Sequence, residues 1–465
     1  MKKFMNEKQR KCIGRLWKVA FALLAVAGVA GCTTGKIDHN FENMVYVNQS
    51  SLELYLGDTQ QLTASPTEDV FEWTSDDPSI ATVDGNGLVK ATGVGFTQIA
   101  VKQGEWMKQV DVTVSLPTAK SVLARAGNKR VLLEVNITNE KVQKVEITCL
   151  ETNRSIEHAV DCKKGLFKFG FDNLDEGKLY HFSVICIDRS GEKAAPISAA
   201  ANVYGDSFQA SLSNRGIEVA TCFGNGLIIK WKDAAGDCAF DYTDDNGQRV
   251  KKFIPSSEKM TYLEDFGKDL TYATYAIPEN NAADTFYVAP ITLEYENLRP
   301  VLTNKATCEI PIVNFDLGGE EVSFHDTTEG NNGGATYRKD KGDPYDEGVD
   351  IESALNIGYT EEGEWLVFTV YVQDAGMYAF DLRRSVNNVN GGYYSLEVDG
   401  GTLANPVYME NDNNWGAYKW QHETYPSPDN QPKFNFTKGK HTVKFIVGRG
   451  GGFNYTHIRF APVIQ

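Results

Sequence analysis

Chemistry in this 465-residue chain has to come from reactive side chains or from groups that hold a ligand still. Reactive constellations are missing: there is no Gly-x-Ser-x-Gly nucleophile turn, no His-Glu-x-x-His pair and no phosphate-binding glycine loop. Seven histidines stand without a partner at ligand spacing, and Cys149, Cys162, Cys186, Cys222, Cys238 and Cys308 form no Cys-x-x-Cys pair, which argues against zinc or thiol redox chemistry. Glycoside hydrolysis needs two carboxylates facing each other across a cleft, whereas Glu361-Glu362 and the run Asp343 to Glu347 read as solvated loop charge. The chain is therefore expected not to be an enzyme and to use no metal or other cofactor. The stretch from Cys308 to Pro462 offers something different, since it is rich in Asn, Gly, Tyr and Trp placed on loops. A neutral sugar presents a face of C–H bonds and a fringe of hydroxyls, so flat aromatic rings beside a few short polar side chains are what would bind it.

The elements that must position such residues are strands. Leu366, Phe368 and Val370 alternate with Trp365, Val367 and Thr369, and Tyr378, Phe380 and Leu382 alternate with Ala379, Asp381 and Arg383. Period-two alternation is the mark of a half-buried antiparallel strand, and many such strands without helical spacing predict a jelly-roll sandwich with loops gathered at its ends.

Residues 318–460 resemble a carbohydrate-binding module of family 6. The resemblance runs in order through Gly318-Gly319-Glu320, Phe324-His325-Asp326, Gly348-Val349-Asp350-Ile351-Glu352, Asn356-Ile357-Gly358-Tyr359, Gly363-Glu364-Trp365-Leu366, Lys438-Gly439-Lys440-His441-Thr442-Val443 and Gly452-Phe453-Asn454. It implies a loop-end site in which Tyr359 and Trp415 sandwich a sugar ring and Asn454 fixes its hydroxyls. Plainer roles stay open: Tyr359 in the core, Trp415 exposed without a ligand, Asn454 as a turn former beside Gly450-Gly451-Gly452. Trp420 is an alternative stacking partner because the loop is longer than usual, and Tyr418 and Tyr345 are further candidates. Some family members also bind chains along a concave sheet face, where Trp365 would point. A Glu-x-Glu pair that commonly helps hold structural calcium is replaced here by Pro311-Ile312-Val313-Asn314, so calcium ligation is weakened.

At the other end, seven Lys and Arg precede the apolar run Val19 to Ala30, which is too short to span a bilayer and reads as a secretion signal over residues 1–31. Val29-Ala30-Gly31-Cys32 resembles a lipobox, which implies cleavage before Cys32, lipid on its thiol and anchoring rather than spanning. Removing residues 1–31 leaves 39 basic against 61 acidic residues, a formal charge of −22 that repels nucleic acid and anionic polymers. Export permits disulfides such as Cys149 to Cys162 or Cys222 to Cys238, and buried free thiols fit equally.

Between a tether at residues 32–43 and the last module, turn-punctuated β-rich runs continue. Those of residues 44–115, with Phe71-Glu72-Trp73-Thr74-Ser75 and Gly87-Leu88-Val89-Lys90-Ala91, resemble a group 2 bacterial immunoglobulin-like domain, which implies that Trp73 fills a core and that the domain is a spacer or adhesive. Residues 116–205 and 206–300 resemble a pair of fibronectin type III-like domains, with Tyr180 as a corner tyrosine. The expected architecture is all-β, a multidomain string of immunoglobulin-like and fibronectin-like β-sandwiches ending in a β-jelly-roll at residues 301–465. The expected role is an outer-membrane lipoprotein facing the cell exterior, which binds a polysaccharide or oligosaccharide and presents it to a neighbouring transporter and glycoside hydrolases. A surface adhesin for host protein or matrix is the alternative.

Overall fold

The computed structural model describes residues 45–65, 70–232, 236–343, 348–402 and 405–463; the leader, Cys32 and Tyr345 lie outside these. Strands dominate throughout, and among the described residues no helix is long and apolar enough to cross a membrane. The chain divides into two compact units, one ending at Pro117 and including Ser190–Ala194, the other formed by Thr118–Arg189 and the residues from Ala195 onward.

In the first unit, Ser51–Tyr55 runs parallel to Trp106–Ser115, followed by Gly95–Gln103 and Glu72–Ser75, while Thr59–Gln61, Leu88–Ala91 and Ala81–Val83 form a facing sheet. Alternate residues Leu52, Leu54, Val110, Val112 and Val114 meet Leu62 and Val89 in the core. Trp73 packs against this core from a half-buried position. Gly87 (φ +81°) makes room for it, because a Cβ there would lie 2.9 Å from the indole.

The second unit holds three sandwiches in succession. The first is a seven-strand ladder in the order Arg154–Ala159, Val142–Cys149, Lys178–Asp188, Ile197–Tyr204, Ser121–Asn128, Arg130–Ile137 and Gly165–Asp172. Tyr180 is buried there, and its hydroxyl accepts the Asp175 N–H at 3.1 Å, tying the loop to the strand as a corner tyrosine does. The second pairs one sheet of Met260–Leu263, Gly226–Trp231, Ile217–Phe223 and Glu296–Asn297 with another of Arg249–Ile254, Asp237–Asp244, Phe266–Ala276 and Phe286–Tyr287. Arg130 clamps the two together through Asp284 (2.7 and 2.9 Å). The six cysteines of the described residues are free thiols, and burial pushes Cys222 up to about 11.

The third sandwich is the jelly roll. One sheet runs Val301–Leu302, Trp365–Val372, Gly439–Val447, Gly392–Val398 and Gly401–Thr402; the other runs Cys308–Pro311, Phe453–Pro462, Gly376–Val386 and Lys419–Trp420, with Lys433–Phe436 also on Gly376–Val386. The alternation read from sequence is the one that folds, since Leu366, Phe368, Val370, Tyr378, Phe380 and Leu382 all enter one core with Phe445, Ile458 and Phe460.

The jelly roll is fused to the sandwich before it. Arg338, from the short helix Tyr337–Asp340, is buried with its guanidinium 4.3 Å from the Phe223 ring of one sandwich and 4.0 Å from the Phe315 ring of the other. It donates to the carbonyls of Phe315 (2.8 Å) and Asp316 (3.0 Å) and pairs with Asp343. Asp343, which reads in sequence as the start of a solvated run, is thus a buried counter-ion; a partner five residues back on a helical turn leaves no periodic signal. Nearby, Asn225 joins Leu317 through both halves of its amide (2.6 and 2.8 Å), and Tyr371 donates to Asp245 at 2.9 Å. Removing one partner of a buried pair typically costs about 3–5 kcal/mol. Arg338→Ala is accordingly expected to lose that much stability in urea unfolding of the whole chain, whereas exposed Arg249→Ala loses under about 1 kcal/mol.

Asp316, at the same seam, accepts Thr369 N–H (2.9 Å) and O–H (2.6 Å), and burial pushes its carboxyl up to about 6. The folded state therefore holds this proton more tightly than the unfolded chain. The contribution to stability is full below the unfolded value near 3.8 and is lost as pH rises through about 6. Relative to Asp316→Asn, the wild type should be more stable at pH 4.5 than at pH 7.5 by on the order of 1–2 kcal/mol in urea titrations.

Candidate functional site

Four turns meet at one end of the jelly roll because of a hydrogen-bonded lattice. Ile357 and Tyr455 exchange backbone bonds (3.0 and 3.1 Å), Gly452 N–H donates to Thr360 O (2.7 Å), and the Thr360 hydroxyl donates to Phe453 O (2.8 Å) while accepting its N–H (3.1 Å). Asn388 holds the glycine turn by donating to Gly450 O (2.6 Å) and Gly451 O (3.2 Å). Ser385, registered opposite Asn454, donates to Asn414 O and so pins the loop that carries Trp415.

Within this frame Tyr359 sits at φ 52°, the left-handed region that non-glycine residues enter at a cost of roughly 1–2 kcal/mol, and its ring is 59% exposed. Strain of this kind persists where the surroundings over-determine it. Trp415 is 46% exposed and borders the same turn, its Cη2 lying 3.9 Å from where a Cβ on Gly452 would be. Asn454 lies between strand and turn, half-buried, and donates to Glu352 (3.0 Å), which also accepts from Asn356. Tyr418 lies beside the Asn454 side chain, and burial raises its hydroxyl so that it stays protonated at neutral pH. Gly358 keeps the floor open: a Cβ there would be 2.8 Å from Glu352 Oε2 and 3.1 Å from Asn454 Oδ1.

The structure thus brings Tyr359, Trp415 and Asn454 to one end and adds Glu352 and Tyr418. Glu352 stands in the sequence inside a matching motif, with nothing to mark it as facing Asn454. Trp420 is elsewhere: it pairs with Arg383 on the outer face of the Gly376–Val386 sheet, and the Arg459 guanidinium, held by Asp381 at 2.7 Å, lies 3.8 Å over its ring. Trp365 is on the outer face of the opposite sheet, half-buried, with the Lys444 ammonium 3.6 Å over its ring.

The residues where the family's calcium would be held do not fit it. Ile312 and Val313 are buried in the hydrophobic core, and Asn314 accepts the Tyr337 hydroxyl at 2.7 Å. Among the described residues, one group could bring three ligand atoms together: Glu320, Glu321 and His325. It is an ion-paired surface cluster, in which hydrogen bonding to Glu320 raises the His325 pKa.

Residues 327–462 match the family model of the carbohydrate binding module (family 6), residues 43–114 that of the bacterial Ig-like domain (group 2), and residues 109–286 that of a domain of unknown function. The chain therefore carries a group 2 immunoglobulin-like domain toward its N-terminus and a family 6 carbohydrate-binding module toward its C-terminus. Among solved structures, it is similar to the C-terminal family 6 module of LamC, a marine laminarinase from Zobellia galactanivorans (17% identity, 34% of this chain, 99% of that one, TM-score 0.22). It is also similar to module CBM6cm-2 of Cellvibrio mixtus lichenase 5A, solved with cellotriose (23% identity, 23% and 78% covered, TM-score 0.19). A third is the family 35 module of Abf62 from Cellvibrio japonicus (12% identity, 34% and 95% covered, TM-score 0.22). A comparison with curated proteins finds no match.

The two tryptophans differ in what rests on their rings. Trp415→Ala is expected to change unfolding free energy by under about 0.5 kcal/mol, as surface substitutions do. Trp420→Ala, which removes the platform under Arg459, should cost about 1–2 kcal/mol in the same urea measurement.

Proposed function

We propose that this protein is a non-catalytic, lipid-anchored surface protein that holds a polysaccharide through the loop end of its jelly roll. The observation that carries the reading is the convergence there of two exposed rings, Tyr359 and Trp415, with the hydrogen-bonded Glu352–Asn454 floor and Tyr418 beside it. Rings of this kind cover the C–H face of a sugar, and the floor supplies acceptors and donors to its hydroxyls. A carboxylate in the floor and the acidic charge of the chain both favour a neutral glycan. The lipobox-like Val29-Ala30-Gly31-Cys32 supports the anchor and an outward-facing outer-membrane location, with the sandwiches as a stalk that carries the glycan toward enzymes and a transporter. One shallow site binds weakly, so retention of long chains would come from many copies acting together.

Affinity electrophoresis of the chain from residue 33 onward through gels containing neutral plant, algal and fungal polysaccharides tests the reading. Retardation by at least one glycan is expected, weakened about tenfold or more in Tyr359→Ala and in Trp415→Ala, the loss of ~1.4 kcal/mol or more that one stacking ring supplies. Retardation that survives both substitutions would move the site to Trp365. Absence of retardation by any glycan would favour the adhesin reading.

A further inference from the structure

A hollow of about 350 Å³ lies on the outer face of the sheet that carries Asn454, around the corner from the loop end. Its floor is one row across three strands, His457, Arg383 and Trp420, fixed by the registers Arg383↔His457 and Arg383↔Trp420. Directly opposed residues on one face have Cβ atoms ~4.5–5.5 Å apart, so the three side chains form a continuous patch. Tyr418 lines the hollow and also lies beside Asn454, which makes it the shared wall between hollow and loop end.

The polar groups here divide into those that are committed and those that are not. Arg459 is satisfied by Asp381 (2.7 Å), and Lys419 by Asp412 (2.6 Å). Among the described residues no carboxylate pairs with Arg383, and the buried Nδ1 of His457 has no hydrogen-bond partner. Glu309 and Glu423 stand on the walls and would repel an anionic group. Guanidinium donors and carboxylate acceptors, balanced in charge, suit the hydroxyls of a neutral sugar.

We infer that the His457–Arg383–Trp420 hollow is a second sugar subsite, taking a residue further along the same neutral chain whose other sugar is held at the loop end. Tyr418 links the two, so the glycan bends over the rim of the sandwich onto the sheet. The inference rests on the loop-end reading and adds that affinity must grow with chain length.

The test is calorimetry of the chain from residue 33 onward with β-1,4-glucan, β-1,3-glucan and xylan oligosaccharides of two, four and six sugars. In the series that binds, the hexasaccharide should bind about tenfold tighter than the disaccharide, the gain expected of one further hydrogen-bonded sugar. In Arg383→Met, which keeps the aliphatic stem, and in His457→Ala, the hexasaccharide should bind no tighter than the disaccharide. Tyr359→Ala should weaken every length. A length dependence in both hollow variants equal to that of the wild type would overturn the subsite while leaving the loop-end reading in place. A wild type that binds disaccharide and hexasaccharide equally would do the same, and a wild type that binds none of the series would bring down both.

Discussion

The buried guanidinium of Arg338 is the constraint on which the C-terminal half depends. A cation removed from water is tolerated only when its charge is answered, and here two aromatic faces, two carbonyls and Asp343 answer it at once. The Phe223 face belongs to one sandwich and the Phe315 face and the acceptors to the other, so neither can move without exposing the charge. Asn225 with Leu317, Tyr371 with Asp245 and Arg299 over Tyr371 extend the same seam. A joint of this kind converts a flexible linkage into a fixed angle, and the loop end is aimed by it.

Rigidity continues down to the individual rings. Tyr359 is held in a backbone conformation it would not choose, and Trp415 is positioned through Ser385 and by its ring edge against the Gly450–Gly452 turn. Binding groups preset in this way lose little freedom when a ligand arrives, so more of each contact's energy appears as affinity.

The all-β class, the jelly-roll alternation and the two family resemblances were legible in the chain because each depends on local period and on ordered short motifs. Leu366, Phe368 and Val370 point inward as their spacing requires. What could not be read depends on partners far away in sequence. Arg338 and Asp343 look like surface charge in an Asn- and Gly-rich stretch until Phe223, more than a hundred residues earlier, closes over them. Trp415 and Trp420 could not be told apart as stacking partners, since a five-residue separation in a loop carries no direction; the pairing of Trp420 with Arg383 settles where each lies. Glu352 and Tyr418 acquire meaning only through Asn454, a contact across a hundred residues in the first case.

The strand Val301–Leu302 gives the seam a further meaning. It leaves the preceding sandwich and at once pairs, in parallel, with Tyr371 and Val372 in the jelly roll's own sheet, while Cys308–Pro311 closes the opposite sheet. The first strands of the jelly roll and its joint to the preceding sandwich are thus one stretch of chain. Exchange of the module between proteins by a break after Pro311 would leave both edge strands behind with the old stalk. A successful graft has to carry the joint with it, and modules joined in this manner should diversify their loops in place more readily than they travel.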